Sequence, residues 1–293
     1  MNRNWTRLRR HQLANVSLVF LAVIATLSLC APLIADLRGI DPTQTDLFRR
    51  FEPPSATYWL GTDDVGRDLL QRLLDGGRVS LLVGLAGALL AGLLGALIGV
   101  TAGYLGGRFD AVLMRFTDGV IALPLLPLLI VVAAVDPRKL GVPAEIAQSE
   151  AFSLYRIVVI VALTGWTTVA RLVRAETLSL KARDFTRAAQ ALGARPGRIM
   201  LRHILPNTLT PVLVSATLNL GLAILSEATL SFLGVGMPIT QPSLGTLIRI
   251  GNQYLFSGSW WLVVFPSLQL GLIVLSVNLL GDWLRDALNP KLR

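Results

Sequence analysis

Two acids stand inside runs that are mostly apolar: Asp118 in "LMRFTDGVIALP" and Glu227 in "AILSEATLSFL". A carboxylate among hydrocarbon side chains is costly, so it marks a partner group, a water-filled path or a relay. Asn219 and Asn278 lie in similar runs and add hydrogen-bonding capacity. Acids in series suit proton relay in an ion-coupled transporter. A single acid suits a tie between helices or a gate, and substrate contact is a further role for Glu227. Catalysis has little to work with. Cys30 is the sole cysteine, and the two histidines, His11 and His203, are separated by several apolar runs. That excludes an intrachain disulfide and leaves no zinc constellation. No nucleophile and base stand out as a pair, which argues against a membrane-embedded enzyme. The G-x-x-x-x-G-K-[ST] phosphate loop is missing, and none of Lys139, Lys181 and Lys291 follows a glycine. Energy for pumping has to come from another subunit or from a gradient.

The elements that position these groups follow from composition. The 293 residues are 53% hydrophobic and 15% charged, against about 25% charged in soluble domains. Crossing a bilayer as a helix takes roughly 20 apolar residues. Residues 16–35, 80–103, 112–135, 156–173, 209–232 and 260–281 qualify, about six spans of an all-α membrane protein. The first run follows a basic segment and imitates a signal peptide, but Leu29 before Cys30 is too bulky for a lipoprotein cleavage site, so it reads as a retained span. Gly95, Gly99 and Gly103, with Ala91 in line, form a small-residue stripe for close helix packing.

Basic residues set the orientation. Arg3, Arg7, Arg9 and Arg10 place segment 1–15 in the cytoplasm. Alternation then puts 36–79, 136–155 and 234–259 outside, with 104–111, 174–208 and the tail 282–293 inside. The net charge of +9 therefore answers to the membrane and not to nucleic acid. In the first outer loop, "GTDDVGRDLLQRLLDGG" lacks the ligand ladder of a calcium loop. It predicts an amphipathic interfacial helix capped by Thr62, with Asp63 and Asp64 in its first turn and Gly76–Gly77 at its end. The tail, with Trp283, Leu284 and Leu288, reads equally as interfacial or as partner-contacting.

Loop 174–208 carries "RAAQALGARPGRIMLRHILPN". Residues 186–192 favour a short helix, Gly193 stops it, and Pro196 suits the first turn of a second helix over 197–203. Pro206 then leads into the fifth span. The product is a rigid helical elbow.

This elbow resembles the "EAA" loop of ABC-importer permeases. Ala188, Ala189, Gly193, Leu205 and Pro206 match that pattern, whereas Arg187 stands where the family carries an acid. "WLGTDDVGRDLLQRLLDGGRVSLLVG", "LTGWTTVARLVRAETLSL", "SEATLSFLGVG" and "NLLGDWLRDALNPKLR" are similar, in order, to the C-type permease of dipeptide, oligopeptide and nickel importers. The resemblance covers the chain from about Trp59 onward. It implies a type I ABC-importer permease fold, with core 80–281 forming half of a path for peptides or a similar small solute. It implies no catalysis and no cofactor in this chain, with ATP and Mg bound by two cytoplasmic ATPase partners. A second related permease and an extracytoplasmic solute-binding protein complete the assembly in the inner membrane. Arg187, Ala188, Ala189, Leu192, Gly193, Ala194, Arg195, Pro196, Leu205 and Pro206 would then couple to an ATPase. The block containing Glu227 favours helix contact or a gate for that acid. The ion-coupled transporter remains the alternative.

Overall fold

The structure is a computed structural model and describes residues 12–147 and 149–288. The basic segment before Gln12, with Arg3, Arg7, Arg9 and Arg10, and the last five residues lie outside the described residues. Among the described residues the fold is all-α: the only β feature is an isolated bridge between Thr62 and Asp68. Five helices are long and apolar enough to cross a membrane, six when one bent pair counts as a single crossing.

Helix α1 spans Gln12–Leu29, and a separate short helix follows at Ala31–Arg38. The predicted single span over 16–35 is thus broken at Cys30, where Pro32 occupies the first turn of the second piece. Helix α2, Leu69–Leu105, has 37 residues, about 55 Å of rod. It replaces two expected elements. Asp68, not Thr62, caps it by accepting the Gln71 N–H. Gly76 and Gly77 do not end it, because they serve close contact instead: a Cβ on Gly77 would lie 2.6 Å from the Gln269 amide and 2.9 Å from Ser28 Oγ. The outer amphipathic helix is therefore the first turns of the second span.

Helix α5, Glu150–Lys181, lies against α2 along most of its length. A Cβ on Gly95 would sit 2.5 Å from Val169 Cβ, one on Gly99 2.6 Å from the Ala170 carbonyl, and one on Gly103 2.8 Å from Thr177 Cβ. The two numbers rise together, so the helices run parallel and the small-residue stripe is their contact line. Thr164 and Thr167 turn their hydroxyls onto the carbonyls of Val161 and Thr164, which suits them to an apolar span.

Parallel α2 and α5 require the chain to cross back between them. Helices α3, Gly107–Ala122, and α4, Leu125–Ala134, do this with a 91° bend. Pro124 holds Leu123 in an extended conformation, ψ 135°, so the straight span expected over 112–135 is broken. The connection to α5 is not bare loop: it carries a 3-10 turn at Pro137–Leu140 and a helical turn at Ala144–Ala147. Helix α6, Asp184–Ala191, is followed by α7, Leu209–Leu233, α8, Leu244–Tyr254, and α9, Trp261–Leu288. The last helix continues seven residues past the expected boundary at Gly281, so the described part of the tail is a prolongation of the span.

Candidate functional site

The elbow is built at the ends of α2 and α5. Thr186 is fully buried and donates its hydroxyl to the Leu180 carbonyl at 2.8 Å. Lys181 donates to the Tyr104 carbonyl at 2.6 Å, and Gln190 reaches the Tyr104 hydroxyl at 3.4 Å. Ala189, Ile199 and Ile204 bury against Tyr104, Val169 and Val173. Helix α6 ends at Ala191, and Gly193 adopts φ +77° with no atom near its missing Cβ. That left-handed turn is cheap only for glycine. Leu192 beside it is 88% exposed at the tip. Arg187, Ala188 and Arg195 are exposed, Ala194 and Leu205 half-buried, and Pro206 exposed.

The second arm differs from the expected isolated helix. Pro196 opens a helix at Pro196–Ile199, which passes through a π turn, Met200–Ile204, and a 3-10 turn, Leu205–Thr208, straight into α7. The whole stretch Pro196–Leu233 is one helical rod. Pro206 sits in the first turn of the 3-10 piece, and the wider π turn before it accommodates the missing N–H. The elbow is therefore one cap on two helices, with its second arm continuous with a span.

The four intramembrane polar groups do not converge. Glu227, fully buried on α7, accepts hydroxyl hydrogen bonds from Ser80 of α2 and Ser231, both at 2.7 Å. Ser231 Oγ in turn accepts the Met237 N–H at 3.0 Å, and Ser80 Oγ the Leu244 N–H at 3.4 Å. The acid thus ties α2, α7 and the start of α8 at the end of the bundle far from the elbow. Asn219 donates to the Gly165 carbonyl at 3.3 Å and lines a cavity of about 220 Å³ with Thr164, Thr168, Val120 and Leu123. Asn278 packs on Gly221. Asp118 is apart from all of these and pairs with Arg171 of α5 on an open face, while Asp110 pairs with Arg174. Asp118 and Glu227 share no hydrogen-bond partner among the described residues, and no series of acids joins them there.

Sequence reasoning missed Ser80, Ser231, Tyr104, Thr186, Arg171 and Arg174. Hydroxyl residues in apolar helices carry no periodic signal, since they satisfy themselves on nearby carbonyls as readily as on a partner. Arg174 counts among the basic residues of loop 174–208, and Arg171 falls inside the run 156–173, whose average hydropathy conceals it.

At the far end, residues 41–68 form a compact cover. Asp63, 2% exposed, accepts the N–H groups of Val65 and Arg67 and pairs with Arg67 at 2.8 Å and Arg72 at 3.2 Å. Asp68 pairs with Arg38 at 2.9 Å. Burial, and then the neighbouring Asp63 charge, push the Asp64 carboxyl above its usual range. No group of three or more potential metal ligands occurs among the described residues.

The family model "Binding-protein-dependent transport system inner membrane component" matches residues 95–293, and that of the "N-terminal TM domain of oligopeptide transport permease C" matches residues 1–54. The chain is 37% identical over 287 residues to the oligopeptide transport system permease protein OppC of Bacillus subtilis, covering 98% of this chain and 88% of that protein. It is 40% identical over 284 residues to a probable peptide ABC transporter permease protein of Sinorhizobium fredii, covering 97% and 90%. Among solved structures, the MetNI methionine ABC transporter in inward-facing conformations aligns with a TM-score of 0.51 at 20% identity, over 71% of this chain and 94% of that one. At that identity the likeness concerns the fold alone.

Proposed function

Because the chain belongs to the family of binding-protein-dependent transport system inner membrane components, we propose that it forms half of a peptide path opened through its elbow. It is a membrane-spanning, non-catalytic permease subunit of an ATP-binding-cassette importer. Peptide as the solute is taken from the names of the relatives. The elbow seats in a cleft of one of two cytoplasmic ATPases, which hold the ATP and Mg. A second, related permease completes the path, and a solute-binding protein delivers at the far end. Both termini then lie in the cytoplasm, and the membrane is the inner one. ATP closure of the ATPases shifts a two-state equilibrium of the spans between inward and outward openings.

The observation that carries this reading is the mounting of the elbow. An exposed apolar tip, Leu192, stands on a turn locked by Thr186, Lys181 and Gln190 to the ends of two parallel spans. A solvated loop that merely fixed topology would need none of those ties. The test is a gentle detergent pull-down from native membranes, with ATPase assay of what is bound. A second permease and active ATPases should be recovered. Gly193→Glu strains the left-handed turn by about 1–2 kcal/mol but meets no neighbouring atom, so it should leave the chain in the membrane yet uncouple uptake from hydrolysis. A chain recovered alone, or normal uptake by Gly193→Glu, overturns the reading.

A further inference from the structure

One stripe of α2 is exposed and wholly apolar: Leu82, Leu85, Leu89, Leu93 and Leu97. The open stripe of α5 is different. Thr164, Thr168 and Arg171 recur there at three- and four-residue spacing, half-buried to exposed. Arg171 pairs with Asp118 of α3, and their side chains remain 49% and 55% exposed.

The pair is set well back from the helix ends. Gly95 meets Val169 and Gly99 meets Val173, so Arg171 stands between those two glycines along α2. It lies ten residues before the end of α5 at Lys181, about 15 Å along the axis. Asp118 lies eleven residues beyond the start of α3 at Gly107, about 16 Å. On the same two helices, Phe116 stacks on Trp166 with ring centroids 6.1 Å apart. Charges at such a level face a bundle interior or water, not acyl chains. The surroundings are hollow: Val120 and Leu123 line both the cavity that contains Thr164, Thr168 and Asn219 and a second concavity around Arg115 and Phe116. The two hollows share that wall of α3, and Thr164 and Thr168 of the Arg171 stripe line the first of them.

We infer that this face lines the aqueous solute path and that the Asp118–Arg171 pair is its charged rung, matched to the ammonium and carboxylate ends of a zwitterionic peptide. This rests on the permease reading above. The two opposite charges give the empty rung no net charge. An arriving zwitterion exchanges partners with both, its ammonium on Asp118 and its carboxylate on the Arg171 guanidinium, so neither protein charge is left bare.

Cys30 is the only cysteine, so Cys30→Ser gives a thiol-free background for the assembled complex. In inside-out vesicles, Thr168→Cys and Leu93→Cys are compared for labelling by a membrane-impermeant cationic methanethiosulfonate. The water-facing position should react roughly tenfold faster than the lipid-facing one. A free dipeptide should slow that reaction several-fold, the same dipeptide with acetylated and amidated ends should not, and Arg171→Gln should abolish the difference. Equal, slow labelling of both positions in every nucleotide state would show a face sealed by lipid or by the second permease, and would overturn the proposal. Equal protection by free and blocked peptides would overturn the charge matching. Uptake and bound ATPase of the Cys30→Ser parent are scored separately. Their absence overturns the permease reading, whereas an active importer with an unreactive Thr168→Cys overturns only the rung.

Discussion

Replacing Glu227 by alanine removes the acceptor for two buried hydroxyl donors and the side chain that joins three helices. Each donor stranded in a dry interior costs about 1–3 kcal/mol. Part of that is recovered, because a helical serine can turn its proton to the carbonyl four residues back. Ser80 and Ser231 also keep the backbone N–H bonds they accept from Leu244 and Met237. The space left by the carboxyethyl group adds a cavity term. Together the loss comes to about 2–5 kcal/mol. Glutamine keeps the shape and one acceptor oxygen, and the serine facing its NH₂ can rotate to accept, so Glu227→Gln costs about 1 kcal/mol or less. Heating the detergent-solubilised protein and measuring the monodisperse fraction by size exclusion gives the comparison. The alanine variant should lose about 5–15 °C in apparent midpoint, with glutamine close to the parent. Unchanged stability of Glu227→Ala would refute the tie. A glutamine variant as damaged in uptake as alanine would show that the ionisable proton matters, which is the signature of a relay.

Gly99→Leu should prevent assembly of the α2–α5 pair, since even a Cβ there lies 2.6 Å from the Ala170 carbonyl and 3.0 Å from the Arg174 nitrogen; immunoblots of membranes should show the chain depleted. Thr186→Val removes the bond to the Leu180 carbonyl, worth about 1 kcal/mol, and should lower uptake per ATP hydrolysed more than it lowers membrane abundance. Asp64 titrates above its ordinary value because of burial and the Asp63 charge. The folded state thus holds that proton more tightly than the unfolded chain. Its contribution turns unfavourable as pH rises from the unfolded value, about 3.9, through the raised folded value, and stays so at neutral pH. Asp64→Asn should therefore raise the thermal midpoint at pH 7, with the gain fading toward pH 4 and below.

Hydropathy alone located the crossings, because roughly 20 apolar residues in a row have few other uses. It misjudged their ends for reasons that are local and physical. Gly76–Gly77 has the composition of a helix stop, but Ser28, Gln269 and the chain at Ser243 press against it, and contact outweighs the glycine preference for turns. Pro124 was hidden inside a hydrophobic run whose average does not register a bend. Pro206 looked like a boundary, yet a π turn upstream lets the helix continue. The elbow was legible because Gly193 and Pro196 act through backbone conformation, which sequence states directly. Its anchorage was not, since Tyr104 lies 77 residues from Lys181 and 86 from Gln190 and nothing local announces their meeting. Asp118 and Glu227 were both visible as anomalies, but only coordinates separate an enclosed tie from an open ion pair.

The helical rod from Pro196 to Leu233 has a mechanical consequence. Its 38 residues make a lever of about 57 Å, and Glu227 fastens it about 46 Å from the elbow arm. With that fastening as fulcrum, a stroke of about 3 Å at the elbow swings the rod by only about 4° and moves Asn219 by about 1 Å. Such leverage is far too short to admit a peptide. The stroke has to be delivered to α2 and α5 as well, and the Tyr104 ties are placed to do so. In the proposed coupling, the π turn at Met200–Ile204 lies in the shaft next to the elbow, so any give there would be lost before the stroke reaches the fulcrum.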